Sequence, residues 1–284
     1  DCSYYNQVAT TPEQFPRMLQ GAIQAALSFR GVGVIGLPGD LTSKTATSGE
    51  SSQQPFPTKQ RVCPSAEEID ALADLLNKAE KVTIFCGIGA KDAHKELVEL
   101  SLRLNAPVAY SFKSKMEIQY DNPNEVGMTG LLGMPSGYYS MHEAEVLLLL
   151  GTDFPYEAFM PQNNTIVQVD IQANRLGRRA KIKMGLCGDV KDTLQELLPL
   201  VRQKTNDSFL REQLAHYDKV KRNLRSAAEV KGKDEKIHPE YVISLIDELA
   251  SKDAVFTVDT GMTCVWGARY LQATGKRKML GLFN

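Results

Sequence analysis

"VTIFCGIGAKDAHKEL" runs from Val82 to Leu97, and three kinds of text follow one another in it. Val82 to Cys86 is an apolar, β-branched run of strand length, Gly87-Ile88-Gly89 is turn text, and "DAHKELVELSLRLN" places apolar residues at helical spacing. A strand that is apolar on both faces and runs straight into an amphipathic helix is the repeating unit of a parallel sheet covered by helices. Outward from this stretch the alternation continues: strand "APVAYS", a loop, helical "PSGYYSMHEA", strands "EVLLLLG" and "TIVQVDI", a last strand before "CGD", and helix "VKDTLQELLPLVRQK". Upstream, Ser65 and Glu68 have capping-box spacing ahead of "IDALADLLNKAE". The reading is an α/β, doubly wound, mainly parallel six-stranded-type sheet.

On either side the text is less complete. "TTPEQFPRMLQGAIQAALS" carries Thr11, Pro12 and Gln14 in capping-box order, and a strand is expected over Val32 to Leu37. Thr42 to Pro64 is Ser, Thr, Gln and Pro text without a hydrophobic period, which predicts an exposed linker. The charged stretch from Asn206 to Asp234 predicts a helical bridge with a solvated face. "HPEYVISLIDELA", "DAVFTVD" and "TCVWGARYLQA" then open a third helix-strand-helix unit that stops at Asn284. Because the chain starts at Asp1 without methionine and stops on strand-like text, it is expected to be a fragment of a longer polypeptide.

Composition narrows the function classes. Thirty-three basic against thirty-four acidic residues leave no excess for a phosphate backbone, so no nucleic-acid partner is expected. The five cysteines are scattered without CxxC spacing, which speaks against a disulfide framework and a zinc site and fits a reducing cytoplasm. No apolar run approaches the roughly 20 residues of a spanning helix.

The candidate chemistry lies at strand ends, where a parallel sheet presents loops and helix N-termini to ligands. Gly87 and Gly89 follow the first strand, "GTDFPY" (Gly151 to Tyr156) follows the Leu-rich strand, Asp170 closes "IVQVD", and Gly188-Asp189 follow the last strand. Each has a bland reading: a GxG pair is more often a tight turn, and Asp170 is as readily an Asx-turn residue or helix cap as a ligand-holding carboxylate. The nicotinamide fingerprint is disfavoured, because Asp92 replaces its third glycine and no acid lies near Tyr110. "VGMTGLLGMPSG", Val126 to Gly137, reads either as a loop whose glycines relieve strain or as bare backbone for an extended ligand. His94, His142, His216 and His238 assemble no site, and Cys86 reads as an inert buried thiol.

Taken together, "GVGVIGLPGDL", "GIGAKDAHKELVELS", "YDNPNEVGMTGLLGMPSGY", "LLLLGTDFPYEAFMP", "IVQVDIQANRLGRR", "GDVKDTLQELLPLV" and "VDTGMTCVWGARYL" resemble, in order and over essentially the whole chain, the thiamine diphosphate (ThDP) enzymes that use FAD. The likeness is greatest to the pyruvate oxidase family, especially its quinone-reducing form. The resemblance implies a division into 1–46, the end of a pyrimidine-binding domain; 47–62, a linker; 63–205, a central FAD-binding domain; 206–235, a helical connector; and 236–284, the start of a pyrophosphate-binding domain.

It also implies roles. Thr129, Gly130, Leu131 and Leu132, with Thr152, Asp153, Phe154, Pro155 and Tyr156, would lie against FAD; Asp170 would hold the adenosine ribose; Gly87, Ile88 and Gly89 match the turn near the diphosphate, and Asp189 and Val190 a strand end near the adenine. The implied reaction is decarboxylation of pyruvate on ThDP with Mg²⁺, two electrons passing to FAD and then to quinone, giving acetate and CO₂, or to O₂ with phosphate, giving acetyl phosphate and peroxide. The family's activating glutamate and its GDG…N motif do not occur in this chain, so no catalytic or metal residue is expected within it and the piece alone is expected to be inactive. A homotetramer, a cytoplasmic location and peripheral contact with the inner membrane through a segment outside the chain are further implications. Two alternatives stand beside this reading: an acetolactate-synthase-like carboligase with structural FAD, and a non-catalytic α/β binding module.

Overall fold

A computed structural model of the chain describes residues 2–46, 55–56, 61–229 and 236–281. Most of the expected 47–62 linker, residues 230–235 of the expected connector and the last three residues lie outside the described residues. The chain divides into two compact units, Asp1–Gln60 and Arg61–Asn284.

In the first unit, strand β1 (Tyr5–Val8) pairs in parallel with β2 (Gly33–Gly36) across helix α1 (Phe15–Phe29), and a short helix α2 (Gly39–Thr42) follows. The capping box expected at Thr11 does not form. Thr11 makes no side-chain cap, and Gln14 Oε1 instead accepts from the Thr10 N–H and hydroxyl at 3.2 and 3.0 Å. Pro16 explains this: an α-helix running from Pro12 would need the residue-16 N–H to reach the Pro12 carbonyl, and proline has none. The first turn is therefore a 3₁₀ turn, Pro12–Gln14, and α1 proper starts at Phe15.

The second unit holds the main sheet. Its elements are α3 (Ala66–Lys78), β3 (Val82–Cys86), α4 (His94–Leu104), β4 (Val108–Tyr110), α5 (Lys115–Ile118), β5 (Glu125–Met128), α6 (Pro135–His142), β6 (Val146–Leu150), β7 (Thr165–Asp170), β8 (Met184–Cys187) and α7 (Val190–Leu197). The six strands lie in the order β5-β4-β3-β6-β7-β8, every neighbouring pair parallel. Here the box at Ser65 does form: Glu68 N–H donates to the serine hydroxyl, and Ser65 N–H to the Glu68 carboxylate at 2.8 Å. Strands β3 and β6 are buried along their whole length, as an apolar run flanked by helices requires. Each fully buried leucine or phenylalanine there contributes about 1.5–3 kcal/mol.

Strand β5 corrects the sequence reading, which took this stretch as loop. Gly127 sits at φ +86 and the β4–β5 register shifts between Val108 and Ala109, so the strand carries no clean alternation. The charged bridge is helix α8 (Ser208–Ala227); besides its solvated face it buries Phe209, Leu210 and Tyr217, packing on α6 and β5. The chain continues through α9 (Pro239–Leu249), β9 (Val255–Val258), α10 (Met262–Tyr270) and β10 (Lys278–Gly281), with β9 and β10 parallel. Among the described residues no helix is long and apolar enough to cross a membrane.

Candidate functional site

Between β3 and β6 the strand order reverses direction, because β4 and β5 extend the sheet to one side of β3 and β7 and β8 to the other side of β6. Such a switch point opens a crevice at the carboxyl ends of the strands, where two successive loops diverge. The loops after β3, β5, β6, β7 and β8 carry the residues singled out from sequence.

At the switch point itself the two glycine turns grip each other. Gly87 N–H donates to the Leu150 carbonyl and Gly89 N–H to the Gly151 carbonyl, each at 2.9 Å. A Cβ on Gly87 would come within 2.3 Å of Gly151 O, and one on Gly89 within 2.7 Å of Gly151 Cα. The glycines are thus required for backbone-to-backbone contact of the β3 and β6 loops, and both amides are already engaged. Ile88, between them, stays exposed. Thr152 is buried beside Gly87, and its carbonyl accepts from Gln168 Nε2.

The β5 and β6 loops meet a little further along. Gly130, at φ +106, would place a Cβ 3.1 Å from the Phe154 ring and 3.4 Å from Tyr156. Phe154 stacks edge-on with Phe85 and Tyr156, forming an apolar wall. Beside that wall the buried Thr129 hydroxyl oxygen has no hydrogen-bond partner, and the Ser136 hydroxyl in the first turn of α6 has none either. Leu131, at the loop tip, is 67% exposed, Leu132 is half-buried and Pro155 is exposed. Asp153 does not face a free surface: Arg178 and Arg179 each reach its carboxylate at 3.3 Å.

Asp170 closes β7 almost wholly buried. One carboxylate oxygen accepts from Gln172 N–H at 2.9 Å, an Asx-type turn. Burial pushes its carboxyl above the usual carboxylate value, against the pull of that N–H and of Arg175. Asp189 serves as the N-cap of α7, one carboxylate oxygen accepting from both Lys191 and Asp192 N–H, with Val190 buried behind it. From the β5 loop to the end of β7 is four strand steps, or about 19 Å at the usual strand spacing. That span suits an elongated, dinucleotide-sized ligand.

The residues that sequence reasoning set aside behave as structural groups. Burial raises the Cys86 thiol far above its ordinary value. His94 stacks on Tyr120 at 3.9 Å, and His142 meets the Phe159 carbonyl at 3.2 Å. Four further residues were not foreseen: Arg178 and Arg179, which pin Asp153, the buried Lys115, and Arg269, which reaches the Leu132 and Gly133 carbonyls. No pattern in the text marked them, since each acts through a partner distant in sequence.

The unsatisfied buried Thr129 hydroxyl, the left-handed Gly130 beside an aromatic wall and the partly bonded, buried Asp170 carboxylate are compatible with a flavin nucleotide lying across this edge. Among the described residues no group of three or more His, Cys, Asp or Glu side chains is placed to hold a metal ion.

Residues 69–197 match the family described as "Thiamine pyrophosphate enzyme, central domain". The chain is 43% identical over 225 residues, 79% of its length, to an uncharacterized 42.6 kDa protein in the isoamylase 3' region of Pseudomonas amyloderamosa, covering 57% of that protein. It is 26% identical over 280 residues, 96% of its length, to a pyruvate oxidase of Lactiplantibacillus plantarum, covering 46% of it. A chloroplastic acetolactate synthase of Oryza sativa is likewise 26% identical, over 291 residues and 97% of the chain, covering 44% of the synthase. The chain therefore spans about half the length of the curated relatives it matches.

Proposed function

We propose that this chain, which carries a thiamine pyrophosphate enzyme central domain at residues 69–197, is part of a flavoprotein that oxidatively decarboxylates pyruvate. The observation that carries the flavin part is the buried, unpartnered Thr129 hydroxyl beside Gly130 and the Phe154 ring, at the same sheet edge as Asp170. In such an enzyme thiamine diphosphate supplies the decarboxylation chemistry and FAD the two-electron acceptor. The chain's own contribution is binding and orientation. Asp170, with one oxygen on Gln172 N–H, has acceptor capacity left for ribose hydroxyls. Thr129 offers a hydroxyl whose desolvation is uncompensated until a polar partner arrives. Phe154, Tyr156 and Leu132 would exclude water from a flat aromatic ligand. Residues 1–46 and 236–284 are assigned to the ends of the flanking pyrimidine- and pyrophosphate-binding domains, and magnesium, tetramer assembly and a cytoplasmic location belong to this same reading of the whole enzyme.

The equal identity to a pyruvate oxidase and an acetolactate synthase keeps a second reading in view, a carboligase whose FAD is structural. Anaerobic addition of pyruvate to the purified holoenzyme separates them. Bleaching of the flavin absorbance, reversed by a quinone or by O₂ with phosphate, is the expected result, and the reversing oxidant identifies the acceptor. Acetolactate formation with the flavin still oxidised would replace this reading by the carboligase. A holoenzyme that takes up no flavin would refute both.

A further inference from the structure

The loop that offers Thr129 and Gly130 is not held by the central sheet alone. It folds back on itself through Gly133 N–H to the Gly130 carbonyl and Met134 N–H to the Met128 carbonyl, at 2.9 and 2.8 Å. A Cβ on Gly133 would lie 2.5 Å from Thr129 Cα, so the turn is tight. Its next two outward carbonyls, Leu132 and Gly133, are taken by one side chain from 136 residues downstream: Arg269, on α10, donates from Nε to Leu132 O at 3.3 Å and from Nη2 to Gly133 O at 3.2 Å. A guanidinium is suited to this because its planar fork fixes two acceptors in one orientation.

Arg269 is itself held from both sides. Lys115 Nζ, fully buried, donates to the Ala268 carbonyl at 2.7 Å and to the Leu271 carbonyl, the residues that flank the arginine and its neighbour at the end of α10. The Tyr270 hydroxyl donates to the Leu224 carbonyl of α8 at 3.2 Å, and Ala273 N–H donates to Gln119 Oε1 at 3.0 Å. The last turn of α10 is thus anchored to the central fold without help from Arg269. The arginine bonds are the part of the contact directed at the loop.

We propose that Arg269 is a positioning residue for the cofactor loop, its forked hydrogen bonds to Leu132 and Gly133 holding Thr129–Gly133 in the conformation that receives the ligand. This rests on the flavin reading for the ligand's identity, whereas the positioning itself is testable without any ligand. The arrangement ties the conformation of the flavin loop to the helix α10 of the C-terminal segment, so a displacement of α10 is passed to the loop.

The test compares Arg269→Met, which keeps an unbranched apolar stem, Arg269→Lys, which retains one charged donor, and Tyr270→Phe, which removes the neighbouring α10 anchor but not the loop contact. In the ligand-free chain, amide hydrogen exchange at residues 130–134 is expected to quicken about tenfold in Arg269→Met, less in Arg269→Lys, and not at all in Tyr270→Phe. FAD titrated by fluorescence quenching should show a Kd raised about tenfold by Arg269→Met, partly restored by lysine. Unchanged loop exchange in Arg269→Met, or equal quickening in Tyr270→Phe, overturns the proposal. If the unsubstituted chain and the holoenzyme take up no FAD, the flavin reading fails, and the exchange measurement still decides whether Arg269 positions the loop.

Discussion

Asp170 and Lys115 are both ionisable, both buried, and used in opposite ways. Burial raises the Asp170 carboxyl, so the folded chain binds a proton there more readily than the unfolded chain does. Its contribution to stability therefore declines as pH rises above the ordinary carboxylate value, and at neutral pH the charged side chain is a cost. Asp170→Asn keeps an oxygen for the Gln172 N–H and removes that cost, so thermal unfolding should occur at the same or a higher temperature, while FAD binding weakens about tenfold or more through loss of the charged acceptor. A lowered melting temperature with unchanged FAD affinity would show that the carboxylate serves only the turn. At Lys115 burial lowers the ammonium from 10.5 to about 8, against the pull of Glu125 and Asp247. Between those two values the unfolded chain holds a proton that the folded one has released, so this residue's contribution to stability rises with pH across that window. Lys115→Met removes the rise and leaves the Ala268 and Leu271 carbonyls without their donor. Urea unfolding should show the variant less stable by on the order of 1–3 kcal/mol at about pH 7 and by more at about pH 10, because only the unsubstituted chain gains stability from this residue between the two conditions.

Elements were legible where local chemistry closes locally. Ser65 and Glu68 sit within one turn of each other, and the text that announces the box also contains every group the box uses. Ser65→Ala should lower stability of the second unit by about 1 kcal/mol, read from the urea midpoint, because an N-cap acceptor is lost while the helix face is untouched. The same spacing at Thr11 and Gln14 failed because Pro16, two residues beyond the motif, lacks the N–H that would close the first α turn. β1 and β5 were missed for a related reason. β1 is short and mostly exposed, and β5 owes its place to Gly127 in a left-handed conformation and to the helix α8 that covers it, neither of which leaves a period-two pattern. Aromatic and glycine text after β5 and β6 marked loops that pack tightly, since it is the tightness of those loops that demands such residues.

At the scale of the whole sheet, alternation of buried strands with helices was enough to read a parallel doubly wound layer, but not the order of its strands, which depends on which side of β3 each crossover turns. That order decides what the opening Gly-Ile-Gly does. With β3 and β6 adjacent, Gly87 and Gly89 face Gly151 across the switch point, and the three glycines form one interlocked contact. Gly151 also holds φ +57, so a side chain there meets both backbone strain and the Gly89 Cα at 2.6 Å. Gly151→Ala should cost about 3 kcal/mol or more, and Gly89→Ala about 2–3 kcal/mol, each measured by urea unfolding. Because both substitutions push apart the same pair of loops, the double variant should lose clearly less than the sum, a coupling on the order of 1 kcal/mol. Additive losses would mean that the loops yield independently, and the crevice between them would then be set by the strands alone rather than by glycines locked across it.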